Sequence, residues 1–265
     1  MSETPATVII KALEPDDPDL DTSRLFDAFY KTAAYAKKHK GIKLTHEGYL
    51  SRNFITWASQ NFNWPEYSED ALTRQRDIIR QQNMPPADSL HNFMLVMGYG
   101  RHLKGALKIP AQISKRLGQK NTFFAEFATN YFIRYDHKKR MEMQPNSLEH
   151  WQIYLNAINQ DCDMPSTSKD ILTTLYGYSS KHRYLNSYQV QNGYLIRQFL
   201  QPLSWLGFLE ETHFETGNEV NHVHYRKTAL WHKALDFSQI YRPRVRVTAH
   251  SGTKKYKQPK ELKCL

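Results

Sequence analysis

Two imidazoles in His222-Val223-His224 stand two residues apart, so a strand would carry both on one face, and with Glu219 close by they could ligate a transition metal. A further ligand from elsewhere in the chain would be needed to complete such a site, and with 12 histidines present a pair of this kind arises by chance. No metal is assigned. Asp16, Asp17 and Asp19 crowd one terminal stretch, too local for a nuclease centre. Arg101, Lys104 and Gly105 lack the spacing of a phosphate-cradling loop, and no Gly-x-Gly-x-x-Gly motif follows a strand. The serines, cysteines and histidines carry no nucleophile signature. The sequence assigns no catalytic residue and no cofactor.

What remains is the chemistry of holding anions. Residues 1–30 carry 2 basic and 7 acidic side chains, residues 31–140 carry 19 and 8, residues 141–240 carry 7 and 10, and residues 241–265 carry 8 and 1. The formal net charge of +10 is thus held in a central region and a tail. Segregated positive charge favours polyanions, because each neutralised phosphate releases condensed counterions. Lys37, Lys38, Lys40 and Lys43 form one basic stretch, and Arg101 and Lys104 belong to another. Arg242, Arg244 and Arg246 alternate, so an extended tail would present three guanidinium groups on one side. Nucleic acid is the expected partner.

At 265 residues the chain can bury one substantial core or several small ones. Its 40% hydrophobic and 13% aromatic residues argue against disorder. No apolar run approaches the roughly 20 residues of a membrane-spanning helix, so no membrane partner is expected. Residues 1–18 lack the basic start and apolar stretch of a secretory signal. Cys162 and Cys264 suggest neither a disulfide framework nor a zinc site. A cytoplasmic protein is expected.

The elements that must position the cations are mostly helices. Residues 1–20 read as an acidic flexible arm broken by Pro15-Asp16-Asp17-Pro18. Asp21-Thr22-Ser23 caps a helix to about Lys38, with Leu25, Phe29 and Ala33 on its apolar stripe. Gly41 to Thr45 is a short strand, Phe54 to Trp57 centres a second helix, and Glu69 to Gln82 reads as a polar, arginine-rich helix. Ser89 caps the next helix, which Gly98-Tyr99-Gly100 ends, and Arg101 to Ile109 reads as a turn and one short strand. Pro110 opens another helix. Phe123, Phe124, Phe127 and Tyr131 then make an aromatic stripe of the kind that packs a core. Leu148 to Ile158 is a helix, and Ser166-Thr167-Ser168 caps a second one to Leu175. A third carries Tyr194, Leu195 and Phe199 and is kinked or restarted at Pro202. Two short strands hinged near Thr216-Gly217-Asn218 follow, the second with Val223 and Tyr225 on one face.

The run Leu206-Gly207-Phe208-Leu209-Glu210, followed by a hairpin and Tyr225-Arg226-Lys227-Thr228, resembles the passage from recognition helix to wing in winged helix-turn-helix proteins. Gly207 can take the left-handed conformation that ends a helix. Two fainter echoes, Tyr35 to Thr45 and Gly98 to Ile109, read as helix end, basic turn and short strand. The fold class expected is mainly α with small β-hairpins (α+β), with a winged helix-turn-helix module in the C-terminal third. The chain is then either a tandem winged-helix protein, similar to plasmid-borne regulators and replication initiators, or one such module joined to an unrelated helical domain. The expected division is the arm over 1–20, a basic helical domain of one or two winged-helix-like units over 21–140, the winged helix-turn-helix domain over 147–236, and a basic tail over 237–265.

The resemblance implies a non-catalytic protein that binds duplex DNA as a regulator, replication initiator or maintenance factor. In helix-turn-helix docking the early part of the second helix meets base edges. That assigns Ser187, Tyr188, Gln189, Gln191 and Asn192 to the groove, where amides can pair bidentately with adenine. Lys181, Arg183, Arg197, Arg226 and Lys227 would meet phosphates. The acidic balance of residues 141–240 keeps an alternative open, a protein–protein interaction subunit of a defence or assembly complex that uses the winged helix as a docking module, and a homodimer or protein partner is expected on that reading. A nuclease subunit is the third reading.

Overall fold

Two stretches of chain follow the same order of elements in the computed structural model, which describes residues 9–14, 16–74, 79–135, 137, 151–177, 186–214 and 222–237. After strand β1 (Ile9–Ile10) and a short 3-10 turn (Pro18–Thr22), the first unit opens with helix α1 (Arg24–Lys38) and strand β2 (Ile42–Lys43). Helices α2 (Arg52–Asn61), α3 (Glu69–Thr73) and α4 (Pro85–Val96) follow, then strands β3 (Arg101–Leu103) and β4 (Ala106–Lys108). Helices α5 (Ala111–Arg116) and α6 (Lys120–Thr129), the latter continued by a π-helical turn (Asn130–Arg134), lead out of this unit.

The second unit runs α7 (Trp151–Asp161), β5 (Ser166–Thr167), α8 (Ser168–Tyr176) and α9 (Asn186–Leu195). A second π-helical turn (Ile196–Leu200) continues α9 into α10 (Gln201–Trp205), and strands β6 (Leu209–Phe214) and β7 (His222–Lys227) follow. In each unit the last strand lies in the middle of a three-stranded antiparallel sheet, in the orders β2-β4-β3 and β5-β7-β6. Helix α11 (Ala229–Ala234) and strand β8 (Leu235–Asp236) come last, β8 pairing antiparallel with β1. The fold is mainly helical with small antiparallel sheets. Among the described residues no helix is long and apolar enough to cross a membrane.

Local chemistry accounts for the boundaries. Asp170 N–H donates to Thr167 Oγ1 at 3.3 Å and Thr167 N–H donates to Asp170 Oδ2 at 2.8 Å, a reciprocal cap that satisfies the first turn of α8. Lys104 and Gly105, at φ +51° and +69°, form the two-residue turn whose twist suits a hairpin, so Arg101 to Lys108 is two strands where one is expected from the sequence. Helix α4 starts at Pro85 rather than at Ser89. Pro85 and Pro86 occupy first-turn positions whose N–H groups have no partner within a helix, and Ser89 is buried with its hydroxyl 3.1 Å from that of Tyr131. The helix expected over Glu69 to Gln82 is confined to Glu69–Thr73, with a 3-10 turn at Gln81–Asn83 and residues 75–78 outside the described set. So polar a stretch offers little apolar surface to stabilise a longer helix.

The expected flexible arm is also corrected from Ile9 onward. Ile10, Leu13 and Leu20 are buried, Lys11 N–H donates to the Ala234 carbonyl at 2.7 Å, and Lys233 reaches Asp17 at 2.9 Å and Asp19 at 2.6 Å. Apolar residues between the carboxylates hold this segment on the core. The aromatic stripe is core packing, with Phe127 5.2 Å from Phe29 and 5.1 Å from Phe93, centroid to centroid. Packing is continuous between the units through Trp64–Trp205 at 5.6 Å, Phe124–Phe208 at 6.0 Å and Phe132–Phe199 at 6.4 Å.

Candidate nucleic-acid interface

Residues paired across an antiparallel sheet point to the same side. In the first sheet Ile42, Leu107 and His102 make one such row, and Ile42 and Leu107 are fully buried. The adjacent rows, Lys43–Ala106–Leu103 and Lys108–Arg101, therefore face outward. Lys43 and Arg101 are exposed, and Lys104 stands at the hairpin tip. Lys108 is half-buried because its stem lies across Gly41, where an added Cβ would come within 3.1 Å of its Cδ and Cε. Its Nζ donates to the Lys40 carbonyl. Lys37 and Lys38, in the last turn of α1, and Lys40, in the turn after it, are also exposed.

None of these cations has a carboxylate within 4.0 Å among the described residues. Lys108 is the member that sequence reasoning missed. Three-residue strands are too short to display the alternation that would have placed it beside Arg101.

The second unit is different. Arg226 pairs with Glu210 at 2.7 Å across β6 and β7. The Lys227 side chain is 5% exposed; it donates to the Asn159 carbonyl at 2.7 Å, pairs with Asp163 at 2.7 Å and lies over the Trp231 ring. Its expected contact with phosphate is corrected: its charge is already satisfied inside the protein. Lys181, Arg183, Arg242, Arg244 and Arg246 lie outside the described residues, as do Glu219 and the side chain of His222.

The helices that precede the two hairpins also differ. Helix α4 contains no Lys or Arg and Val96 is its one exposed residue, so it has no face for base edges. On α9, Ser187 and Gln189 are exposed, while Gln191 and Asn192 are half-buried with enclosed, unpartnered Oε1 and Oδ1 atoms. Tyr188, expected in the groove, belongs to the core with Tyr194 and Leu195. Arg197 lies farther along, beside a cavity between the units.

A buried polar chain ties α4 to strand β3. Gln81 Oε1 accepts from Leu50 N–H at 2.7 Å and lies 3.2 Å from His91 Nδ1, while Gln81 Nε2 donates to Asp88 at 2.7 Å. His91 Nδ1 must therefore be the donor, which leaves its Nε2 to accept from His102 Nε2 at 3.0 Å. Burial above all, with His102 adding to it and Asp88 opposing, pushes the His91 imidazole down to a pKa of about 4.

Fold and surface define a protein of two helix-and-sheet units, one of which carries a cationic sheet face with no carboxylate within 4.0 Å of it among the described residues. The Y4jL N-terminal domain matches residues 21–122 and the y4jL C-terminal domain matches residues 139–229. A protein of Sinorhizobium fredii (strain NBRC 101917 / NGR234) named Uncharacterized protein y4jL is 30% identical over 156 residues, which is 58% of this chain and 70% of that protein. The chain belongs to the Y4jL family. The two domain matches divide where α6 and its π turn connect the units. No solved structure matches.

Proposed function

We propose that each unit is a winged helix and that the protein binds duplex DNA without catalysis, as a regulator, replication initiator or maintenance factor. The observation that carries this reading is the outward face of the first sheet, where Lys43, Arg101 and Lys108 stand with Lys40 and Lys104 and no carboxylate among the described residues answers them. Such a surface binds a polyanion by releasing its counterions. The two units then divide the work. The first sheet holds phosphates, and α9 offers Ser187 and Gln189 to base edges, since α4 has nothing to offer.

Anisotropy titration against a random-sequence duplex, at about 50 mM and about 200 mM salt, tests the reading. Roughly five phosphate contacts should weaken binding by about 10²- to 10³-fold between the two conditions. Absence of binding, or binding indifferent to salt, would sink it. The neutralised cations of the second sheet favour a second reading, in which that unit docks a protein.

A further inference from the structure

Two π-helical turns occur among the described residues, Asn130–Arg134 and Ile196–Leu200, and both contribute to the wall of one cavity. Turns of this kind are rare and concentrate at functional sites. The cavity has a volume of about 220 Å³ and lies between the two units. Pro85 and Ser89, one turn apart on α4, line one side. Arg197, Gln201 and Trp205, spaced four residues apart, line the other along the helix that continues α9. Tyr131, from the first π turn, also lines it.

The lining has a definite chemistry. Ser89 and Tyr131, each 1% exposed, bring two hydroxyls together, and Trp205 and Pro85 present apolar surface. His137 lines the cavity as well, with its Nε2–H donating to the Tyr131 carbonyl at 2.7 Å. Arg197 is the full positive charge in this wall, and no carboxylate lies within 4.0 Å of it among the described residues.

We infer that this cavity binds a small organic anion, with its carboxylate or phosphate on Arg197 and Gln201 and its flat apolar part against Trp205. At about 30 Å³ per water the space equals about seven waters, so a ligand of fewer than about ten non-hydrogen atoms fits. Such a ligand would bridge α4 to the helix that carries α9. This site stands whether or not the protein binds DNA.

The test uses the full chain at constant ionic strength, titrated separately with benzoate, inorganic phosphate and the neutral isostere benzamide. Thermal midpoint and tryptophan fluorescence are followed together. Saturable shifts are expected with benzoate and, more weakly, with phosphate, and none with benzamide. Arg197→Gln, at an exposed position, should weaken the response about ten- to hundredfold, the range for losing a hydrogen bond to a charged group. Trp205→Phe should keep the thermal shift and lose most of the fluorescence change. The inference is overturned by no saturation with either anion up to about 10 mM, by an equal response to benzamide, or by an undiminished response in Arg197→Gln.

Discussion

His91 and His102 face each other through their Nε2 atoms at 3.0 Å, and one proton serves both. Since His91 Nδ1–H donates to Gln81, the shared proton belongs to His102. A second proton on His91 would require His102 to move its own proton to Nδ1 and accept through Nε2, reversing the side-chain hydrogen bond that joins α4 to β3. Burial chiefly, with His102 adding to it, favours the neutral form of His91 here.

Its pKa of about 4 lies below the ordinary value of 6.5, so as pH falls the unfolded chain takes up this proton before the folded one does. Stability linked to His91 is complete above about pH 6.5 and is lost progressively down to about pH 4, by about 3 kcal/mol in all. Urea unfolding at pH 7.5 and pH 4.5 should show a shallower loss in His91→Gln than in the parent chain. Equal losses in the two proteins would show that His91 is not the group responsible.

Gly207 should tolerate no side chain. Its φ is +84°, and a Cβ there would stand 2.6 Å from Thr22 Oγ1 and 2.8 Å from the Ser23 nitrogen. Left-handed strain and overpacking together should cost Gly207→Ala about 2–4 kcal/mol. Gly177, with φ +67° and nothing within 4 Å, should cost only about 1 kcal/mol on the same change. Similar values for the two variants, read from urea midpoints, would remove the packing part of the explanation.

Reversing Lys37, Lys38, Lys40 and Lys43 to glutamate should leave folding intact, because all four are exposed. If the first sheet and the end of α1 hold DNA, affinity should fall alike on every sequence, and the salt slope should flatten by about 0.9 for each phosphate no longer neutralised. Unchanged affinity would move the interface elsewhere.

The second unit is the more legible in sequence because its punctuation is local. Gly207 ends a helix, Thr167 and Asp170 cap one, and Val223 and Tyr225 alternate along β7. The first unit hides its hairpin in two strands of three residues, and Lys108 with it. The N-terminal segment misleads because Glu14, Asp16, Asp17 and Asp19 outweigh Ile10, Leu13 and Leu20 by composition, while what holds it is a strand near the far end of the described chain. Tyr188 misleads because both its neighbours on the helix start, Ser187 and Gln189, are exposed. Burial of one residue between two exposed ones depends on which neighbour covers it, and no local pattern states that.

Lys227 separates charge from stability. Replacing it with methionine should keep an apolar stem of similar length but remove the ammonium from over Trp231 and leave Asp163 and the Asn159 carbonyl without their donor. A loss of about 1–3 kcal/mol is expected, since hydrogen bonds made by a charged group contribute about that much. Affinity for non-specific duplex, measured well below the unfolding midpoint, should be unchanged. Weakened binding in a fully folded variant would instead return Lys227 to the phosphate-contacting set.

The sharpest expectation concerns Gln189. It is exposed on the first turns of α9, where the second helix of a helix-turn-helix meets base edges, and its amide can donate to and accept from adenine together. Ser187, also exposed, stands beside it, whereas Tyr188 points into the core and serves as an internal control. Gln189→Ala should unfold at the same urea concentration as the parent chain. Tyr188→Ala should lose about 3–5 kcal/mol of stability, as other buried aromatic truncations do. On a site selected from random duplex, Gln189→Ala should lose about 1–3 kcal/mol of preference over non-specific DNA. Non-specific affinity and its salt slope should stay as they were, because the cations proposed to hold phosphates are on the other unit. A parent protein with no preference to lose, or a variant that keeps all of it, would show that α9 does not read sequence and would leave the first sheet as a sequence-independent clamp.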